Sequence, residues 1–139
     1  MFYEIIKKQL YILLIGVFIF FFCSSLKANS YYVSNSVGDD TNNGTSSSSA
    51  IKTINRLNSM VFQPGDSILF KSGDSWNGMF WIKGSGTSTD KIVIDSYGGS
   101  QKPVINGNGY QSCILIYNDE FIEINNLDLN IWLNTDGND

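Results

Sequence analysis

The sequence predicts an all-β solenoid: a right-handed parallel β-helix of about two to three coils behind one N-terminal capping α-helix. Three observations carry that expectation. After about residue 66, short apolar runs recur every ten to twelve residues, each closed by Gly, Asn, Asp or Pro. The runs centre on Ile68-Leu69-Phe70, Phe80-Trp81-Ile82, Ile92-Val93-Ile94, Val104-Ile105, Ile114-Leu115-Ile116 and Ile122-Glu123-Ile124. Taking every second run, Ile68 to Ile92 is 24 residues and Ile92 to Ile114 is 22; the other set gives 24 from Phe80 to Val104, then 18 to Ile122. Two interleaved strand series at such a period read as coils of a solenoid, with Ile92 stacked on Ile68 and Val104 on Phe80. Finally, one stretch of helical period precedes the first run.

The first 28 residues read as a signal peptide. Lys7 and Lys8 supply a basic start, residues 10–23 an apolar centre broken only by Tyr11 and Gly16, and Ala28 a small residue at the end. That 14-residue centre is shorter than the roughly 20 residues a membrane span needs. A membrane partner therefore enters only through an uncleaved signal sequence, and the expected location is extracellular or the cell surface. Cleavage after Ala28 removes Lys7, Lys8, Lys27 and Glu4, taking the formal charge from −4 to about −6. Phosphate binding needs clustered Lys or Arg, so no nucleic-acid partner is expected.

Residues 29–139 form one domain in this reading. Tyr31-Tyr32-Val33-Ser34 is a β-prone start. Residues 35–49 are dense in Gly, Asn, Asp, Thr and Ser and read as a loop. Ile51, Ile54, Leu57 and Met60 recur at three-residue steps, which predicts one helix over about residues 50–60 with Ser48 or Ser49 as N-cap. Pro64-Gly65 stops it. Gly73-Asp74, Gly98-Gly99 and Gly107-Asn108-Gly109 close strands, and Asn125-Asn126 bends the chain between two alternating segments. The helix is placed to cover the N-terminal end of the coils. Nothing after Leu129 resembles a second cap, so the expectation is a chain truncated at its C-terminus.

Chemistry is sparse. His is absent, which removes the usual general base and the commonest zinc ligand. Cys113 opens an apolar strand and reads as a small buried hydrophobe. Asp39, Thr41, Asn43 and Gly44 fall at positions one, three, five and six of a calcium-loop pattern, whose alternate oxygen ligands could converge on Ca²⁺. The twelfth position brings Ala50 where that loop needs Glu, so a self-capped turn is the simpler reading. Trp76 sits at a turn, where an exposed ring would stack on a sugar; packing in the core competes with that, as it does for Phe80, Trp81 and Tyr97.

Several segments together resemble secreted right-handed parallel β-helix proteins of the pectate-lyase-like superfamily. They are Tyr31-Tyr32-Val33-Ser34, residues 38–45, Ile51-Lys52-Thr53-Ile54, residues 62–71, Gly73-Asp74-Ser75-Trp76 and residues 102–107. The resemblance covers nearly all of residues 31–129. It implies an extracellular protein, a polysaccharide lyase or glycoside hydrolase by ancestry, acting on acidic or plant- and algal-type polysaccharide. Asn134-Thr135-Asp136-Gly137 resembles a polygalacturonase motif, which would make Asp136, with Asp139, the candidate carboxylates. The six basic residues after the signal are scattered over different segments, so no complete active site is expected. The alternative is a non-catalytic glycan-binding or adhesin-like module.

Overall fold

The computed structural model describes residues 3–4, 6–9 and 27–131. Residues 10–23, the apolar centre of the expected signal peptide, lie outside them. No helix among the described residues is long and apolar enough to cross a membrane.

The regular structure of the described residues is mostly β-strand, with parallel sheets and no closed barrel. In order come β1 (Ser30–Val33), a 3₁₀ turn (Ser47–Ser49) and α1 (Ile54–Leu57). Then follow β2 (Ser67–Lys71), β3 (Ser75–Asn77), β4 (Phe80–Ile82), β5 (Ile92–Tyr97), β6 (Val104–Asn106), β7 (Ile114–Ile116), β8 (Ile122–Ile124) and β9 (Asp128–Asn130). They form three sheets, ordered β1-β2-β5-β8, β3-β6-β9 and β4-β7. Every registered pair is parallel. From β2 onward the chain visits the three sheets in rotation.

Alternation decides which side chains face inward. Ile68 and Phe70 of β2, Trp76 of β3, Phe80 and Ile82 of β4, Ile92 and Ile94 of β5 and Ile105 of β6 are buried in one core. Val33, Ile51, Ile54, Leu57, Phe62 and Cys113 complete it, and Cys113, just before β7, is a buried free thiol, as expected. Aromatic rings meet edge-on across the core: Phe70 lies 5.0 Å from Trp76 and 5.9 Å from Phe80, and Phe62 lies 6.3 Å from Phe80.

Two expectations are corrected. The first is the stacking. Ile68 pairs with Ile94, two residues beyond Ile92, and Phe80 pairs with Ile114, while Val104 pairs with Ser75. Three sheets share the chain, not two series. The short strand Ser75–Asn77 carries a single inward apolar residue and therefore leaves no apolar run to be counted. The second is the helix, which is four residues long. Ala50 is extended, and Ile51 is drawn into a parallel bridge with Val33, its N–H donating to the Tyr32 carbonyl at 2.9 Å. Thr53, not Ser48 or Ser49, is the N-cap: its hydroxyl accepts the Arg56 N–H at 3.1 Å.

Asn is used where the chain turns. Asn108, Asn118 and Asn126 have positive φ, which their short amide side chains tolerate. Asn77, Asn106 and Asn130 stand in register at the ends of β3, β6 and β9. Their amides form a ladder: Asn106 Nδ2 donates to Asn77 Oδ1 at 3.2 Å, and Asn130 Nδ2 to Asn106 Oδ1 at 3.3 Å.

Candidate functional site

The start of α1 and the outer face of β3 enclose an open cleft of about 310 Å³, lined by Asn35, Thr53, Ile54, Asn55, Ser75, Trp76 and Asn77. Strand alternation builds one wall. Trp76 turns inward, so Ser75 and Asn77 turn outward. Thr53 is placed by its cap and by Asp40, whose carboxylate accepts the N–H groups of Lys52 and Thr53 and the Thr53 hydroxyl at 3.0, 2.8 and 2.7 Å. Asn35 follows β1 and donates through Nδ2 to the Ser75 carbonyl at 2.9 Å, tying that loop to β3.

Beside Ser75 lies a polar cluster. Asp74 Oδ2 accepts from the hydroxyls of Ser34 and Ser36 at 2.8 and 3.0 Å and from the Ser36 N–H at 3.1 Å. Lys71 Nζ donates to Ser36 Oγ at 2.9 Å. Burial works to raise the Asp74 carboxyl, but these donors, with Lys71 behind them, outweigh it and hold it below the usual carboxylate range. Asp40 is likewise held low: burial opposes, and the Thr53 and Lys52 hydrogen bonds prevail. Burial, reinforced by Asp74 and Tyr32, raises the Tyr97 phenol, whose buried hydroxyl has no partner at hydrogen-bond geometry.

This arrangement can hold hydroxyl-bearing ligands. Amides and hydroxyls offer both donors and acceptors across the cleft. It does not supply a proton: Asp40 and Asp74 are carboxylates at neutral pH, whereas glycoside hydrolysis needs one carboxyl protonated.

The residues singled out in the sequence are dispersed. Asp39 Oδ1 accepts from its own loop, from the Thr41 N–H at 2.8 Å and the Thr41 hydroxyl at 2.6 Å, and the Thr41 hydroxyl is the main cause of the lowered Asp39 pKa. Asn43 Oδ1 accepts from Thr45 N–H and Oγ1 and from Ser49 Oγ. Among the described residues no three His, Cys, Asp or Glu side chains gather as a metal site. Asp136 and Asp139 lie outside the described residues. Trp76 is a correction: the residue is only 5% exposed, its ring packs on Phe70 and its Nε1 donates to the Lys52 carbonyl at 2.9 Å, so it is a core residue and not an exposed stacking surface. Of the aromatic residues singled out in the sequence, Trp81 turns outward: it is 39% exposed, with Lys83 Nζ 4.6 Å from its ring centre.

The Ser34–Ser36–Asp74 cluster went unseen in the sequence. Gly73-Asp74 reads there as a turn, and nothing local marks a partner about forty residues earlier. The asparagine ladder had a signal in the Asn that ends each strand, but it becomes visible only once three sheets are recognised.

No family model matches the chain. The lacto-N-biosidase of Bifidobacterium longum subsp. longum is 39% identical over 85 residues, spanning 57% of this chain and 5% of that protein. A crystal structure of the GH136 lacto-N-biosidase from Eubacterium ramulus, a selenomethionine derivative, superposes with a TM-score of 0.72 at 28% identity. It covers 80% of this chain and 22% of that one. The native form of the same protein gives 0.68 and 27%. The chain thus spans a small part of the length of the proteins it matches. These similarities overturn the expected kinship with pectate-lyase-like proteins: the proteins to which this chain is similar are lacto-N-biosidases.

Proposed function

We propose that the chain is part of an extracellular glycan-active protein of the lacto-N-biosidase kind. Residues 1–28 direct secretion in this reading, and residues 29–131 wind as the first coils of a right-handed parallel β-helix. The observation that carries it is the superposition on the Eubacterium ramulus lacto-N-biosidase, at 28% identity over 80% of this chain. The glycan follows from the same similarity: a sugar of the lacto-N-biose type replaces the acidic plant or algal polysaccharide expected from sequence. The cleft between α1 and β3 is the surface best suited to touch it, through Asn55, Ser75 and Asn77.

A second reading, a non-catalytic glycan-binding module, is favoured by one feature. The two carboxylates nearest the cleft, Asp40 and Asp74, are both committed to internal donors. Calorimetric titration of the purified chain with lacto-N-biose, beside release of nitrophenol from a chromogenic lacto-N-bioside, separates the two. Saturable binding weakened about tenfold by Asn55→Ala, the worth of one or two hydrogen bonds, is expected. Turnover in addition selects the enzyme. Absence of binding to any glycan carrying lacto-N-biose would sink both.

A further inference from the structure

Asp66 is 1% exposed, and both its oxygens accept hydrogen bonds. Oδ2 takes the Gln63 N–H at 2.9 Å. Oδ1 takes the backbone N–H of Asn29 at 2.8 Å and the Asn29 side-chain amide at 3.4 Å. All three donors are neutral. The ion pairs among the described residues are Lys91–Glu123 and Lys102–Asp128, so no Lys or Arg neutralises Asp66. A buried carboxylate without a counter-charge is costly, and natural proteins seldom leave one unpaired.

Asn29 is also the residue that follows the expected cleavage point. Ala28 and Lys27 are exposed, so the Ala28–Asn29 bond lies at the surface. Gly65 lets the chain pass there: a Cβ at that position would sit 3.0 Å from the Ala28 Cβ, and its φ of +86° is one that side-chain-bearing residues rarely adopt. Immediately beyond, the Asn29 carbonyl accepts the Ser67 N–H at 2.8 Å and β1 begins its parallel pairing with β2.

We infer that Asp66 is a built receptor for the α-ammonium group that leader cleavage creates on Asn29. A leader peptidase of the secreting cell adds water across the Ala28–Asn29 bond. The C–N bond breaks, the water oxygen joins the Ala28 carbonyl carbon as a carboxylate, and the protons go to the Asn29 nitrogen. That nitrogen, already 2.8 Å from Asp66 Oδ1, becomes a cation beside a buried anion. Maturation thereby supplies the missing counter-charge and fastens the first strand of the solenoid. The inference rests on the secretion reading above and is independent of the glycan.

The full chain, expressed in a secreting host, tests it in two steps. N-terminal sequencing of the secreted product is expected to begin at Asn29; a start elsewhere overturns the inference alone, whereas a chain that stays in the cell with its leader uncleaved overturns it together with the secretion reading. The native product is then treated near neutral pH with an amine-acylating reagent, and the α-amine is followed by peptide mass mapping. An ammonium held by Asp66 should react at least about tenfold more slowly than the same amine on an unstructured Asn-terminal peptide, since one pKa unit is a factor of ten. The protection should vanish in denaturant and in Asp66→Asn. Reaction of the native wild-type amine at the free-peptide rate overturns the role of Asp66 while leaving secretion intact. That measurement stands even where Asp66→Asn fails to fold.

Discussion

Asp74 shows how a residue that looks like punctuation becomes an anchor. It closes β2, yet its carboxylate gathers three donors from Ser34 and Ser36 and so fastens the loop after β1 to the next turn of the chain. Because its pKa is depressed in the native state, the stabilisation is present above the ordinary carboxylate pKa and is lost as pH falls through the native value. Urea midpoints measured from pH 7 downward should therefore drop below about pH 4. Asp74→Asn should start lower and drop less steeply; an unchanged slope would remove Asp74 from the acid response. Gly38 is the steric counterpart. A Cβ there would stand 2.3 Å from the Ser34 carbonyl oxygen and 2.5 Å from that of Ile51, both backbone atoms that cannot swing away. Gly38→Ala should destabilise by about 3 kcal/mol, read as a shift of the urea midpoint at constant slope. Neither role was legible in the sequence. Gly and Asp in turns look alike whether they face water or another part of the chain, and only the fold brings residues 34 and 74 together.

At the scale of elements, α1 is too short to hold itself by propensity. Its two buried residues, Ile54 and Leu57, and its cap fix it in place. Thr53 caps the helix and also meets Asp40 with both its N–H and its hydroxyl, so it serves two elements. Thr53→Ala should cost about 1 to 2 kcal/mol, and Thr53→Ser should recover most of it. Equal losses in the two variants would show that the methyl group, not the hydroxyl, matters. The sequence made most of the strands legible, because β2, β4 and β5 each carry a run of three apolar residues between polar turns, although only the alternate ones are buried. It hid β3, a three-residue strand with one apolar residue, Trp76, whereas β9 falls in the alternating segment expected after the Asn125-Asn126 bend. It also overstated the helix. Residues at three-residue steps suit a helix, but Ile51 gains more by extending the parallel bridge to Val33, which its local period cannot reveal.

Seen whole, the described chain is a set of inward rows that run on through successive strands. One row passes Ile68, Ile94 and Ile124; another Trp76, Ile105 and Leu129; a third Ile82 and Ile116. Burial falls along each. Ile68, Ile94 and Ile82 are fully buried, while Ile124 is 38%, Leu129 45% and Ile116 42% exposed. Inward positions on β7, β8 and β9 thus present apolar side chains where, among the described residues, no further strand pairs. Such an edge joins unpaired backbone groups to an apolar surface, the combination that draws in another strand. The purified chain should accordingly self-associate, with a sedimentation coefficient that rises over a concentration series. A lysine on these positions should oppose this without touching the buried strands, because a charge directed into an apolar contact must be desolvated there and can stay hydrated only in the monomer. Ile124→Lys and Leu129→Lys should therefore sediment as monomers over the same range and keep the wild-type β-sheet circular dichroism. If both variants associate as the parent does, the exposed rows are not the contact, and the outward surface around Trp81 becomes the one to mutate next.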